Sequence, residues 1–253
     1  MVELAAVTAK PAWVDLASSN PAKAGAFYAD LLGWTVADPD QAYGGYVMAM
    51  INGKDAAGIG PKQMAEQPTA WSIYIGTDDA DALSARVAAA GGTVIVPPFA
   101  VGDRGRMAVF QDPAGAFISA WQPIAMPGFQ TGVPGAFTWA ELSSRGIDKA
   151  VTFYGSVFGW TTNVSDMPDG SHYTEFHVGD QSIAGGMAMN PMVPAEVPSY
   201  WLAYFAVEDV DAKFARVLEL GGHEMLGPTD FPGGRFAIVS DPEGAAFGLL
   251  RMR

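Results

Sequence analysis

The chain has 253 residues, 49% of them hydrophobic and 16% charged, which predicts packed cores rather than disorder. Its formal net charge of −13 at pH 7 repels phosphate backbones and anionic lipids, so neither a nucleic-acid nor a membrane partner is expected. No cysteine is present, which excludes disulfides and thiolate chemistry. Without a recognisable signal peptide or a long apolar run, we expect a cytoplasmic protein.

The first predicted elements are a strand, a helix and a hairpin. Ala12–Ala17 is typical of a short strand. Asn20 offers an N-cap to a helix that begins with a proline and ends at Gly33. Two further strands, Tyr46–Ile51 and Ala56–Ile59, flank an Asn-Gly turn.

A similar series follows. Trp71–Ile75 predicts a strand, and Asp78–Ala90 predicts an amphipathic helix with acidic residues at its start and Gly-Gly at its end. The last three strands are predicted at Thr93–Val96, Arg106–Gln111 and Phe117–Trp121. An Asp-Pro-Ala-Gly turn joins the last two. The order is βαβββ followed by βαβββ.

The second half of the chain repeats the first. Trp13, Phe27-Tyr28 and Leu32-Gly33-Trp34 return 126 residues later as Trp139, Phe153-Tyr154 and Phe158-Gly159-Trp160. The Gly-Gly pair and the turn Asp112-Pro113-Ala114-Gly115 return as Gly221-Gly222 and Asp241-Pro242-Glu243-Gly244. The order is preserved, so we interpret the chain as a tandem duplication. Residues 1–125 and 135–253 are predicted as the two domains, and 126–134 as a linker rich in proline and glycine.

These motifs together resemble the vicinal oxygen chelate superfamily, which includes glyoxalases, bleomycin-resistance proteins and extradiol dioxygenases. Within it, the chain is similar to two-domain actinobacterial glyoxalase-like proteins of the "hydroxylase" type. The resemblance implies an α+β fold with tandem glyoxalase-like domains. Each domain would hold two βαβββ modules that form a curved-sheet cup around a small molecule.

The resemblance also implies positions for metal ligands, and this sequence departs from the pattern there. The position before the Phe-Tyr pair holds Trp13 and Trp139, whose indole nitrogens donate but cannot ligate. The other aligned positions are Ser72 and Leu202, or Trp71 and Trp201 one residue earlier, and then Ser119 and Gly248. No cofactor is therefore expected, although a divalent metal is left open. The histidines are His172 in a predicted loop, His177 on a predicted strand and His223 in a predicted turn.

Aromatic and polar side chains are predicted to line the cups instead. Strand alternation puts Asp15 on the face of Trp13 and Glu141 on the face of Trp139. The predicted ligand-binding residues are Trp13, Asp15, Tyr74, Ser119, Trp121, Trp139, Glu141 and Tyr204. Two other readings stay open: the tryptophans fill the core after the loss of a metal, or Arg106 and Arg235 pair with the acidic residues structurally.

Two functions of different classes follow. The first is metal-independent binding of a hydrophobic, aromatic small molecule, of the drug- or metabolite-sequestering type. The second is a glyoxalase-type enzyme, a lyase, isomerase or oxygenase/hydroxylase, with Glu141, His177 and Tyr204 as catalytic candidates. A scaffold for other proteins is a third reading. A small molecule is the expected partner, and the chain is expected to be a monomer or a homodimer.

Overall fold

The fold is α+β, as predicted, in a computed structural model that describes residues 8–167 and 169–253. Sixteen strands and four α-helices in this part of the chain follow the order βαβββ four times. We call these four segments the first to fourth modules. None of the helices within the described residues is long and apolar enough to cross a membrane.

The first copy contains two modules. The first module is β1 (Pro11–Ser18), α1 (Pro21–Leu32), β2 (Thr35–Val36), β3 (Val47–Ile51) and β4 (Lys54–Pro61). The second module is β5 (Ala70–Gly76), α2 (Ala80–Ala89), β6 (Thr93–Val101), β7 (Gly105–Gln111) and β8 (Phe117–Pro123).

The second copy repeats this order. The third module is β9 (Phe137–Ser144), α3 (Ile147–Phe158), β10 (Thr161–Asp166), β11 (His172–Val178) and β12 (Gln181–Ala188). The fourth module is β13 (Tyr200–Ala206), α4 (Val210–Glu219), β14 (His223–Phe231), β15 (Gly234–Ser240) and β16 (Ala246–Met252). His172 and His223 thus begin strands, whereas the sequence placed them in a loop and a turn.

The turn and cap chemistry is as predicted. The Asn20 side chain accepts a hydrogen bond from the Lys23 N–H, and Gly33 ends α1 with a left-handed φ of 77°. Asn52 and Gly53 both have positive φ, 52° and 73°, as a two-residue hairpin turn requires. Local sequence therefore determines where α1 and the β3–β4 hairpin begin and end.

The strands form two sheets of eight. Their orders are β2-β3-β4-β1-β5-β8-β7-β6 and β10-β11-β12-β9-β13-β16-β15-β14. Within a module, the first and last strands run parallel and the others antiparallel, as for β1 with β4 and β9 with β12. The two copies therefore have the same topology.

The compact units do not follow the order of the copies. The first unit comprises the described residues up to Trp13, Ile73–Gly128 and Trp139–Trp201. The second unit comprises Val14–Ser72, Phe129–Thr138 and Leu202–Arg253. Each unit thus takes most of one module from each copy. The domain limits predicted from the repeat describe the copies and stay a prediction.

Helices of different copies pack inside each unit. In the first unit α2 contacts α3, and the Arg86 Nε donates to the Val157 carbonyl at 3.2 Å. In the second unit α1 contacts α4, and Arg216 binds both carboxylate oxygens of Asp30 at 2.7 and 2.8 Å. The helical faces of the modules are covered in this way, which leaves the opposite strand faces as the place to look for a site.

Candidate functional site

The most prominent sequence motifs form a buried network rather than a binding site. In the first unit, the Tyr154 hydroxyl donates to Asp112 Oδ2 at 2.9 Å and accepts from Trp201 Nε1 at 2.8 Å. Asp112 Oδ1 accepts the backbone N–H groups of Ala114 and Ala116. Burial, followed by the nearby Asp112 charge, raises the pKa of Tyr154 well above its ordinary value. The Tyr154 hydroxyl, the Trp201 Nε1 and both Asp112 oxygens all have hydrogen-bond partners within the network, so we interpret it as structural.

The second unit contains the same network. The Tyr28 hydroxyl donates to Asp241 Oδ2 at 3.1 Å and accepts from Trp71 Nε1 at 3.0 Å. Trp71 and Trp201 thus point to the helical side of their strands. The alternation then gives Ser72 the face that Tyr74 occupies, and Leu202 the face of Tyr204. The alignment that puts Ser72 and Leu202 at the expected ligand positions therefore agrees with the strand faces, because Trp71 and Trp201 point toward the helices.

On the opposite face of the third module, two predicted site residues meet around a tyrosine. The Trp139 Nε1 donates to the Tyr173 hydroxyl at 3.0 Å, and that hydroxyl donates to Glu141 Oε2 at 2.9 Å. Burial, and then the Glu141 carboxylate, raises the pKa of Tyr173 well above its ordinary value. The phenol is therefore neutral at physiological pH and remains a hydrogen-bond donor.

Gly185 makes room for this arrangement. It lies opposite Glu141 in the register of β9 and β12. A Cβ atom built on Gly185 would lie 1.9 Å from the Tyr173 hydroxyl oxygen. Any side chain at this position would push the phenol away, so the glycine is a requirement of the Trp139–Tyr173–Glu141 chain.

Two more polar side chains follow Tyr173 on the same face of β11. The Glu175 Oε2 lies 3.3 Å from the His177 Nε2, and the Glu175 charge contributes to the raised pKa of Tyr173. A β-bulge between Phe176 and His177 puts His177 opposite Ser182 of β12. Glu141, Tyr173, Glu175 and His177 thus line one wall of the first unit.

The first module has an equivalent arrangement in the second unit. The Tyr46 hydroxyl donates to Asp15 Oδ2 at 3.3 Å, and Asp15 lies opposite Gly58. A Cβ on Gly58 would lie 1.6 Å from the Tyr46 hydroxyl oxygen. Trp13 is buried with 2% of its surface exposed, whereas Trp139 is only half-buried. Of the two tryptophans, Trp139 is the more exposed.

The remaining predicted ligand-binding residues lie on the second and fourth modules. Tyr74 is opposite Ser119 in the β5–β8 register, and both are buried. The Trp121 Nε1 donates to the Met126 carbonyl at 2.9 Å. Tyr204 belongs to the second unit, and its ring lies over Gly248, where a Cβ would be 1.9 Å from Tyr204 Cδ1. Of the three catalytic candidates, Glu141 and His177 share one wall of the first unit.

Arg106 and Arg235 do not pair with Asp15 or Glu141, the acidic residues considered for them from the sequence. Arg106 binds both oxygens of Asp81 at 2.6 and 3.2 Å, and Arg235 binds both oxygens of Asp211 at 2.8 Å. In each case a strand residue meets the first turn of a helix, where a carboxylate is favourable. These pairs are exposed, so each contributes little to stability.

The side chains at the positions where the resemblance implies metal ligands do not fit a metal. The Trp139 nitrogen is a donor already bonded to Tyr173, and Gly248 has no side chain and no room for one beneath Tyr204. Nowhere in residues 8–167 and 169–253 do three or more His, Asp or Glu side chains form a group that could hold a metal ion.

Sequence reasoning missed the tyrosines and glycines that complete the wall. Tyr46 and Tyr173 are equivalent in the two copies, as are Gly58 and Gly185. The repeat itself carried this signal, because each pair keeps an offset of 127 residues. What the sequence could not give is the pairing of each tyrosine with an acidic residue on another strand.

Comparison with known proteins gives a consistent result. A family model described as the glyoxalase/bleomycin resistance protein/dioxygenase superfamily matches residues 10–119 and 136–249. The anthracycline biosynthesis protein DnrV of Streptomyces peucetius is 39% identical, over 96% of this chain and 93% of that protein. A protein of Mycobacterium bovis named "Putative glyoxylase CFP32" is 38% identical, over 95% of this chain and 94% of that protein.

Solved structures share the fold at low sequence identity. The Mn(II)-bound glyoxalase of Novosphingobium aromaticivorans matches with a TM-score of 0.66 and 19% identity, over 96% of this chain and 82% of that one. The dioxygenase LapB of Pseudomonas sp. KL28 matches with a TM-score of 0.62 and 17% identity, over 95% and 91%. At such identities the likeness describes the fold and not the reaction.

Proposed function

Since this chain belongs to the glyoxalase/bleomycin resistance protein/dioxygenase superfamily, we propose that it binds a planar aromatic small molecule without a metal. The protein would sequester or carry this ligand rather than transform it. No cofactor takes part in this proposal.

The observation that carries the proposal is the Trp139–Tyr173–Glu141 chain. Two aromatic rings are fixed by hydrogen bonds at 3.0 and 2.9 Å, next to a carboxylate. An aromatic ligand gains about 0.5–1.5 kcal/mol per ring pair beyond the burial of its surface. Because the protein rings are already oriented, little conformational entropy is lost on binding.

The relatives suggest the class of ligand. DnrV and DauV, of two Streptomyces strains, are both named anthracycline biosynthesis proteins, at 39% and 37% identity. We therefore propose a polycyclic aromatic natural product, and we choose anthraquinones as probes of that ring system. Their flat, apolar rings match the exposed part of Trp139, and their oxygen atoms match a polar wall.

The test is a titration of the chelator-treated protein with hydroxyanthraquinone and methylanthraquinone, followed by tryptophan fluorescence and calorimetry. We expect saturable binding of at least one probe and a loss of about tenfold in affinity for Trp139→Leu. Trp13→Leu is the matched variant in the first copy and reports whether that copy also binds. Failure of both probes, together with a broad panel of aromatic metabolites, would overturn the proposal.

An enzyme of glyoxalase type is the second candidate function: a lyase, isomerase or oxygenase/hydroxylase. The specific observation in its favour is that a Glu141–Tyr173 pair and a Glu175–His177 pair lie on one wall. Carboxylate and imidazole side chains can transfer protons to or from a bound substrate. The wild type and His177→Ala would be incubated with the aromatic panel and analysed by mass spectrometry. Turnover that survives His177→Ala unchanged removes this histidine from the reaction.

A further inference from the structure

The first and third modules present the same backbone with different side chains. Tyr46 and Tyr173 lie over Gly58 and Gly185 in the same way. The antiparallel registers also agree, with a β-bulge between Ala49 and Met50 in one module and between Phe176 and His177 in the other. Residues of the two modules can therefore be compared position by position.

The comparison shows a change from apolar to polar side chains at two positions of the strand, whereas Asp55, opposite Met50, is replaced by Ser182, opposite His177. Met48 lies opposite Gly58, and at the equivalent position Glu175 lies opposite Gly185. Two residues further along the strand, Met50 is replaced by His177. Methionine side chains adapt to apolar ligands of varied shape, whereas a carboxylate and an imidazole recognise hydrogen-bonding groups.

The polar set has unmet hydrogen-bonding capacity. Among the described residues, the buried side-chain polar atoms without a hydrogen-bond partner are His177 Nε2 and Ser182 Oγ. Glu175 Oε2 approaches Nε2 to 3.3 Å, but not in the direction of a hydrogen bond. Leaving such an atom unpaired is unfavourable, so its presence calls for a functional explanation.

The side chains of Glu175 and His177 are partly exposed. The His177 side chain is 21% exposed and that of Glu175 40% exposed, although Nε2 itself is covered. Strands β9 to β12 carry no lysine or arginine, so no basic residue of these strands competes with a ligand for Glu175 or His177. Because Nε2 is covered, a ligand beside Tyr173 would bind this atom only if the imidazole rotated.

We infer that the two modules differ in specificity: the third module recognises a hydroxyl group on the aromatic ligand through Glu175 and His177. The first module, with Met48 and Met50, takes aromatic ligands that lack such a donor. The hydroxyl donates to the carboxylate or to the imidazole, and it can accept from Ser182. This inference rests on the proposed function and adds to it the chemical group that one copy selects.

The test exchanges the residues between the copies. Glu175→Met with His177→Met gives the third module the residues of the first, and Met48→Glu with Met50→His makes the reverse change. His172→Met is the control, because His172 lies on the same strand with 68% of its side chain exposed. Each protein is titrated with hydroxyanthraquinone and with methylanthraquinone substituted at the same ring carbon, and its thermal unfolding is recorded.

We expect the wild type to prefer the hydroxylated probe by about tenfold, which corresponds to one hydrogen bond to a charged group. The Glu175/His177 variant should lose this preference yet keep the methylated probe, and His172→Met should retain it. The Met48/Met50 variant should gain a second site for the hydroxylated probe. If the first variant does not fold, this gain decides the question.

The opposing results separate the two proposals. A folded Glu175/His177 variant that still fully prefers the hydroxylated probe overturns the inference. If that variant does not fold, a Met48/Met50 variant that gains no site for the hydroxylated probe overturns it. Either result leaves the proposed function standing. A wild type that binds neither these probes nor any of the aromatic panel overturns the proposed function itself.

Discussion

The Tyr154 hydroxyl, on a helix of the second copy, donates a 2.9 Å hydrogen bond to Asp112 in a turn of the first copy. The Trp201 Nε1 donates to the same hydroxyl, so removal of one oxygen atom leaves two buried groups unpaired. We expect Tyr154→Phe to lower the free energy of unfolding by about 1–3 kcal/mol. Chemical denaturation measures this change. Ser156→Ala, on the exposed side of the same helix, should cost far less, and equal losses would mean that the network adds nothing.

Gly185 offers a test of the site geometry. Because an alanine methyl group would lie 1.9 Å from the Tyr173 hydroxyl oxygen, Gly185→Ala should break the hydrogen bond to Glu141. We expect the affinity for the anthraquinone probes to fall by about tenfold or more. Gly58→Ala makes the same change in the other copy. Unchanged binding in both variants would show that neither tyrosine contributes to recognition.

Glu243 predicts a dependence of stability on pH. Burial raises the pKa of its carboxyl, but hydrogen bonds from the Ser19 and Asn20 N–H groups and the Ser18 and Thr69 hydroxyls outweigh it. The net pKa lies below the ordinary 4.5. The folded state therefore binds this proton less readily than the unfolded chain, and Glu243 stabilises the fold above pH 4.5 and loses this effect as the pH falls through its folded pKa.

The matching variant is Glu243→Gln. It should be less stable than the wild type by about 1 kcal/mol at neutral pH, because hydrogen bonds to a charged acceptor are replaced by weaker ones. The difference should shrink when urea denaturation is repeated at progressively lower pH. A difference that stays constant from neutral to acidic pH would argue against a charged Glu243 as its source.

Metal binding can be tested independently of any ligand. Two of the positions where the resemblance implies metal ligands carry Trp139 and Gly248 here, whose side chains supply no ligand atom. Added Mn²⁺ or Zn²⁺ should therefore not raise the unfolding temperature. A specific metal site would raise it increasingly as the metal concentration increases. Elemental analysis of the purified protein should find no stoichiometric metal. One metal ion per chain would mean that side chains at other positions bind the metal.

Sequence reasoning went furthest where local chemistry decides the structure. The N-cap at Asn20, the glycine at Gly33 and the Asn52-Gly53 turn were all predicted, because each depends on a few neighbouring residues. The short β2 and the exposed β10 were not located, since a strand of two residues and one exposed along its whole length carry no alternation of apolar residues.

The site was predicted in part. The acidic residues and Trp139 were found from the repeat and from strand alternation, but Tyr173 was not, because its role arises from a hydrogen bond across strands that are distant in sequence. The pairing of Arg235 with Asp211 was missed for the same reason. Contacts between distant elements depend on how those elements pack together, which a local sequence pattern does not specify.

The second unit joins segments that are far apart in the sequence, and this affects how the chain folds during synthesis. Tyr28 and its partner Asp241 are 213 residues apart, so this hydrogen bond cannot form until Asp241 has left the ribosome. The α1 segment is synthesised well before β15 and β16, the strands that flank Asp241. Loop closure over such a separation slows folding and leaves apolar surface open to aggregation in the meantime. A nascent chain of this kind would depend on chaperones more than one whose copies each closed on themselves.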